Sequence, residues 1–253
     1  MILAIDAGNS RTKWGVFDET GELKAHGVIP NSATSGIPLP VAWQPCKRAI
    51  ISNVGGKGLE ESIRNLLQTL NVPVRWIKST TQACGVINGY QRPELLGTDR
   101  WAALIAAWRH YHAPCVVVSA GTALTVDALG SGQEGKGIFL GGLIVPGLRL
   151  MEECLIKGAA DIRQSSGTVQ YFPTNTGDAI HTGALSAMAG AVNSVLVKLE
   201  QQAKQKPRCI LSGGDAAILA EMLEHYEVEK LVIADNLVLQ GLLFLEEEMG
   251  TGQ

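Results

Sequence analysis

Over the first thirty residues the apolar positions fall into three short runs separated by polar turns. The pattern predicts strands over 2–6, 12–18 and 22–29, with Gly21-Glu22 marking the second turn. RAIISNV (48–54) reads as a buried strand. In GLEESIRNLLQTL (58–70) the residues Leu59, Ile63, Leu66, Leu67 and Leu70 recur with helical spacing. DRWAALIAAWRHYH (99–112) reads as a second helix, stopped ahead of Pro114 because the residue before a proline avoids helical angles. CVVVSA then opens a new strand. Residues 176–203, mostly Ala and aliphatic, read as one long helix or two. RCILSGGDAAILAEML (208–223) reads as strand, glycine turn and helix. DNLVLQGLLFLEEE (235–248) reads as a closing helix with Asp235 as its N-cap. Residues 30–47, with four prolines, are the clearest irregular loop.

One part of this pattern occurs twice. Asp6-Ala7-Gly8-Asn9-Ser10-Arg11-Thr12 aligns without a gap on Ser119-Ala120-Gly121-Thr122-Ala123-Leu124-Thr125. Each copy lies between two β-rich runs and is followed by a third, at 22–29 and 137–144. A duplicated strand–turn–strand–strand unit followed by helices predicts two similar α/β domains facing each other. The expected division is 1–113 and 114–253, with the closing helix either in the second domain or packed back on the first.

Composition narrows the class. The chain has 253 residues, 46% hydrophobic and 18% charged, with a formal net charge of −3. That is ample for one large or two modest domains, and with no basic stripe no nucleic-acid partner is expected. Cys46, Cys84, Cys115, Cys154 and Cys209 are scattered and form no CxxC pair, which argues against a disulfide framework or a zinc site. There is no signal-peptide pattern and no apolar run of roughly 18 or more residues, so the expectation is a soluble cytoplasmic protein without a membrane span.

Several candidate motifs carry little. GSGQEGKG (130–137) fits GxGxxG and nearly fits a P-loop, but GIFLGGLIV after it is strand-like, whereas a nucleotide loop opens a helix there. A hairpin turn is the better reading. His110 and His112 flank Tyr111 at a helix end, His181 is isolated, and no HExxH or GxSxG element occurs.

Three glycine turns remain, at Gly8, Gly121 and Gly213-Gly214. Two of them, with Ser10 and Thr122, suit a polyphosphate held by N–H groups and hydroxyls from opposite sides, and the third suits close approach of an adenosine. Asp6 then serves as a Mg²⁺ carboxylate acting through water, since Mg²⁺ is commonly held by one or two carboxylates plus substrate phosphates. The plainer reading of Asp6 and Asn9 is that such residues favour turns. Lys13 either reaches a phosphate oxygen or is a solvated surface lysine. In YQRPELLGTDRW (90–101), Thr98 or Asp99 reads as a helix N-cap, or else Asp99 orients a substrate hydroxyl while Arg100 holds an anionic group.

In chain order the sequence carries DAGNS-R-TK, Tyr90 followed by LGTDR, AGTALTVD, GGLIVPG, NTGDAI, LSGGDA and a closing LVLQGL. This ordered set resembles the type III pantothenate kinases (the Bvg accessory factor-like family) over nearly the whole chain. They belong to the acetate and sugar kinase/Hsc70/actin superfamily. The resemblance implies two similar ribonuclease H-like (actin-like ATPase) α/β domains with a nucleotide cleft between them. It implies transfer of the ATP γ-phosphate to the primary hydroxyl of pantothenate, the first step towards coenzyme A.

On the same resemblance, Asp6, Gly8, Asn9 and Ser10 match the first phosphate motif, with Ala7, Arg11, Thr12 and Lys13 beside them as ATP-binding candidates. Gly121 and Thr122 match the second phosphate motif, and Gly213 and Gly214 the adenosine motif. Tyr90, Gly97, Asp99 and Arg100 match the pantothenate-contacting pattern, Thr98 lies within it, and Asp99 is the implied catalytic base. A homodimer is implied in which the partner subunit completes each pantothenate site, through Thr176 or alternatively Thr174 or Thr182.

The chain also departs from the family pattern. Where the second motif usually begins with an aspartate associated with a monovalent cation, this sequence has Ser119. A requirement for K⁺ or NH₄⁺ is therefore in question, and an accessory regulator with weak or no catalysis is the competing class. A kinase for another small hydroxylated substrate is a further alternative, against which Tyr90 and LGTDR speak. The segment ECLIKGAADI (153–162) matches the family loosely and offers no counterpart to a usual histidine contact.

Overall fold

In the computed structural model, which describes residues 1–34, 36–158 and 167–250, the first apolar run is a central strand. β1 (Ile2–Ala7) pairs antiparallel with β2 (Arg11–Phe17), which pairs antiparallel with β3 (Leu23–Pro30). On its other side β1 pairs in parallel with β4 (Arg48–Asn53), and β4 with β5 (Val74–Trp76). The sheet order is β3-β2-β1-β4-β5. A strand covered on both faces needs apolar residues at successive positions, and Ile2, Leu3, Ala4, Ile5 and Ala7 are all buried.

Leu3, Ile5 and Ala7 join Trp43 and the apolar face of α1 (Lys57–Gln68), which carries Leu59, Ile63, Leu66 and Leu67. The helix thus presents the period read from the sequence. Across the sheet lie α2 (Thr98–Tyr111) and α6 (Leu237–Gly250). Arg100 through Trp108 of α2 are all buried, so this helix is apolar nearly all round. α2 and α6 approach closely at Gly241, where an added Cβ would stand 1.9 Å from the Ala102 carbonyl oxygen. The buried Glu246 of α6 is held by Arg75, whose Nη1 donates at 2.9 Å, and by Arg48, whose Nε lies 3.3 Å away. A buried carboxylate demands such partners. α6 begins at Leu237, and Asn236, with φ of 56°, directly precedes the helix. Residues Met1–His112 and Asn236–Gln253 make up this first unit.

The first unit also holds β6 (Gln82–Ala83) and β7 (Val86–Asn88), a hairpin turning at Cys84 and Gly85. Both turn residues have positive φ, 48° and 79°, as a tight two-residue hairpin loop requires.

The second unit, Ala113–Asp235, repeats the plan. β8 (Cys115–Ala120), β9 (Ala123–Ser131) and β10 (Gly137–Pro146) form the antiparallel meander, and β11 (Arg208–Ser212) and β12 (Leu231–Ile233) follow in parallel beyond β8. The order β10-β9-β8-β11-β12 matches that of the first sheet strand for strand. The stretch 130–137 is the hairpin between β9 and β10, closed by the Gly132 N–H on the Lys136 carbonyl at 2.7 Å. α3 (Leu148–Gly158), α4 (Thr176–Ala203) and α5 (Ala216–Glu224) complete the unit.

α4 is a single 28-residue helix. By length and composition it alone among the described helices could cross a membrane. Its Leu185, Met188, Ala189, Val192, Val195, Leu196 and Leu199 pack instead with Val116, Val118, Leu124 and Val126 of the sheet. Core duty accounts for its apolarity.

The α2–α6 contact yields a direct test. Gly241→Ala forces the two helices apart and should cost about 1–3 kcal/mol. Chemical denaturation checks this, and an unchanged midpoint would show that the helices separate freely.

Candidate active site

Register across the first sheet assembles the site. Asp6 stands opposite Lys13 on β2 and opposite Ser52 on β4. Directly opposed residues share a face, so Lys13, Asp6 and Ser52 form a row. Asp6 Oδ1 is buried and has no hydrogen-bond partner. Burial, and secondly the charge of Asp99, push the Asp6 carboxyl up to about 7, while Lys13 opposes the shift.

Ser52 Oγ lies 2.8 Å from Oγ1 of Thr98, the first residue of α2. Asp99 follows, and its Oδ1 accepts the Arg100 N–H at 2.8 Å. The positive end of a helix favours an ionised carboxylate. Burial nevertheless raises the Asp99 pKa, outweighing that N–H and the Arg100 charge. The residue in the cap position is Gly97, not Thr98 or Asp99, and no side chain caps the helix. A Cβ on Gly97 would come within 2.6 Å of Asp99 Oδ1, so the glycine leaves room for the carboxylate to fold back over the turn. Arg100 is buried, and its Nη1 donates to the Tyr90 hydroxyl at 3.0 Å. Tyr90 is held in turn by its N–H on Asn88 Oδ1 at 3.1 Å.

Two neighbouring carboxylates held towards neutrality, one with an orphaned oxygen, suit a divalent cation. No cluster of three or more His, Cys, Asp or Glu able to hold a metal occurs among the described residues. A cation here would complete its shell with water and ligand oxygens, as Mg²⁺ does.

The turn between β1 and β2 is braced from below. The Gly8 N–H bonds the Arg11 carbonyl at 3.2 Å, and Asn31 Nδ2 donates to the Gly8 carbonyl at 2.8 Å. A Cβ on Gly55 would lie 2.6 Å from that same Gly8 oxygen. Asn9, Ser10 and Arg11 are exposed at the tip and Ala7 is buried beneath it. Thr12, expected among the ATP-binding residues, is 1% exposed and donates its hydroxyl to Asn31 Oδ1 at 3.0 Å. It holds the turn rather than lining its surface.

In the second unit the glycine turns converge. The Gly121 N–H bonds the Ala123 carbonyl at 3.1 Å, and the Gly147 N–H bonds the Thr122 carbonyl at 3.0 Å. A Cβ on Gly147 would stand 2.0 Å from the Gly121 oxygen. Gly213, with φ of 105°, abuts the Ala120 carbonyl, 2.1 Å from where its Cβ would be. Gly214 follows it, and the Asp215 N–H bonds the same Ala120 oxygen at 3.1 Å. The turns at 121–122, 147 and 213–214 thus meet at the ends of β8 and β11.

Ser119 stands opposite Thr125 and Ser212, a row of hydroxyls where the first unit has charges. The gap-free alignment of the two copies slips by one on the returning strand. Ala7 faces Thr12 whereas Ala120 faces Leu124, because the second turn is one residue shorter.

Of the three candidate threonines, Thr174 and Thr176 line an apolar groove of about 830 Å³ with Met151, Leu155 and Ile180. Thr182 accepts the Gln170 N–H at 3.1 Å and is bound to the strap of residues 167–175 that precedes α4. His181 is not isolated, since its Nδ1 lies 2.7 Å from Glu152 Oε1. Of the loosely matching segment 153–162, positions 159–162 lie outside the described residues.

Sequence reasoning missed Ser52, Asn31, Gly55 and Gly147. Only Gly147 left a signal, as the last residue of GGLIVPG.

Two solved structures have a similar fold. A Campylobacter jejuni protein assigned to the Baf family of transcriptional activators superposes with a TM-score of 0.62 at 20% identity, covering 98% of this chain and 99% of that one. A Sinorhizobium meliloti protein assigned as a 2-dehydro-3-deoxygalactonokinase gives 0.58 at 13% identity, covering 98% and 99%. The chain shares the fold of these two structures. The family model described as type III pantothenate kinase matches residues 2–198. A type III pantothenate kinase of Methylobacillus flagellatus is 47% identical over 247 residues, 97% of either chain. This chain belongs to the type III pantothenate kinase family.

The buried carboxyl of Asp6 predicts a pH effect on the metal-free protein. Its folded pKa lies above its unfolded value, so its contribution is full below about pH 4 and is lost as pH rises towards 7. Asp6→Asn removes that loss, which is a few kcal/mol at most at about 1.4 kcal/mol per pKa unit. The melting temperature of Asp6→Asn relative to wild type should therefore climb between pH 4.5 and 8 without Mg²⁺, and a constant difference would contradict it.

Proposed function

We propose that the chain is an ATP-dependent pantothenate kinase that forms 4'-phosphopantothenate and ADP. The observation that carries this reading is the Asp6–Asp99 pair within a chain of the family, with Arg100 and Tyr90 beside it. Asp99 orients the primary hydroxyl of pantothenate and accepts its proton as the oxygen attacks the γ-phosphorus in line. The bond from that phosphorus to the bridging oxygen breaks, and ADP leaves. Arg100, steered by Tyr90, holds the pantothenate carboxylate. The turns at Gly8–Ser10 and Gly121–Thr122 bind phosphates through backbone N–H groups, and Gly213-Gly214 receives the adenosine. Asp6 would hold Mg²⁺, which neutralises charge on the phosphate oxygens. Positioning and charge account for most of the catalysis in such a transfer.

We further infer a homodimer in which Thr174 or Thr176 contributes to the partner subunit's pantothenate site. The apolar groove supports this, as do Tyr171 and Phe172 on the neighbouring strap, 87% and 80% exposed. Five free thiols accord with a cytoplasmic setting. The neutral Thr125–Ser119–Ser212 row lacks a carboxylate for a monovalent cation, so turnover should proceed without added K⁺ or NH₄⁺. That same serine is what favours the second reading, a catalytically silent accessory factor.

One coupled assay with purified protein, ATP, Mg²⁺ and pantothenate separates these readings. ADP release that depends on pantothenate, equal in sodium and potassium buffers, is the expected result. Silence in every salt supports the accessory factor, and a strict K⁺ or NH₄⁺ dependence overturns the reading of Ser119. Asp99→Asn should lower kcat about 10²–10⁴-fold in a folded protein, the usual loss for a general base. Near-wild-type turnover would remove Asp99 from that role.

A further inference from the structure

A serine interrupts the apolar core of β4. Ser52 is fully buried, at 0% exposure, after Ala49, Ile50 and Ile51. Burying a hydroxyl is costly unless it is bonded, and it adds little to packing. Ser52 spends its hydroxyl on Thr98 Oγ1, 2.8 Å away.

The placement of that bond is informative. Ser52 is the cross-strand neighbour of Asp6, and Thr98 immediately precedes Asp99. The first turn of α2 has no side-chain cap, because Gly97 occupies the cap position. A second buried serine, Ser79, donates to the Leu96 carbonyl at 2.8 Å on the other side of that glycine. The residues flanking Gly97 are thus each fixed by one hydroxyl. The conformational freedom that Gly97 introduces is removed where it would swing Asp99.

We propose that the Ser52–Thr98 hydroxyl pair is a positioning element that fixes Asp99 relative to Asp6 for phosphoryl transfer, a role that rests on the kinase reading above. Ser52, fully buried, acts through Thr98 and the start of α2. A displacement of about 1 Å at a reacting group can cost on the order of 100-fold in rate. Loss of the bond should therefore appear in kcat rather than in ATP binding, since the turn at residues 8–10 is braced separately by Asn31 and Gly55.

The test is a double-mutant cycle on the full chain, with kcat, both KM values and melting temperature measured for each protein. Ser52→Ala and Thr98→Val should each lower kcat about 10- to 100-fold with the KM for ATP nearly unchanged. The double variant should be little worse than either single one, because both remove the same bond. Thr98→Ser keeps the oxygen and should restore kcat to near the wild-type value. If Ser52→Ala fails to fold, the Thr98→Val and Thr98→Ser pair reads the same bond from its other end. Variants that lose only melting temperature, or whose kcat losses simply add, overturn the positioning role. A wild type without pantothenate-dependent ADP release overturns the kinase reading as well, whereas an active wild type with unmoved variants overturns the positioning role alone.

Discussion

The first unit is organised around an unfavourable interaction, the burial of Asp6 with one oxygen unpaired beside the charge of Asp99. Folding alone gives no reason to keep a carboxylate there. The surrounding structure holds it in place from several sides. Lys13 offsets part of the charge from β2, and the hydroxyl of Ser52 is bonded to Thr98. Behind these, the doubly buried strand β1 cannot shift without exposing Leu3 and Ile5. A cation bound there as proposed, with its phosphates, would relieve such a stored cost and couple ligand binding to the stability of this unit.

The same logic explains the distribution of glycines. At Gly55, Gly147, Gly213 and Gly241 an added Cβ would meet backbone oxygen within 1.9–2.6 Å. Gly55, Gly147 and Gly213 press one chain segment against another next to the turns proposed to bind phosphate. Gly241 does the same for the two helices under the first sheet. Turns of irregular backbone cannot brace themselves with a ladder of hydrogen bonds. Close backbone packing does so here without occupying the turn surface with side chains.

Much of the fold was legible because its elements are strongly periodic or uninterrupted. The meander strands, α1, α2 and α4 lie within a residue or two of where the apolar pattern puts them. The repeat read from two short turns is matched by the sheet β3-β2-β1-β4-β5 and the run β10-β9-β8-β11-β12, which have the same order and the same strand directions. The pattern was silent on β5, β6, β7, α3 and β12. Among these, β5, β6, β7 and β12 are too short, at two or three residues, for a period to show. Of the candidate site, the residues that local turns place had a signal in the sequence, namely Asp6, Gly8 and the element at 97–100. Ser52 and Asn31 were not, because their importance comes from cross-strand register and a contact 23 residues distant in the chain. No local signal encodes either.

The duplication shows how one plan came to hold two different electrostatic environments. In the first unit the row at the end of the central strand reads Lys13, Asp6, Ser52, and in the second it reads Thr125, Ser119, Ser212. The backbone scaffold is common to both, so the difference lies in the side chains and in the one-residue shortening of the second turn. A charged row beside a helix start bearing a further carboxylate suits chemistry on a hydroxyl. A neutral row beneath converging glycine turns suits holding phosphate and nucleoside without competing charge. Ser119 therefore leaves the row of the second unit without charge, and the two carboxylates proposed to act in the transfer, Asp6 and Asp99, both lie in the first unit.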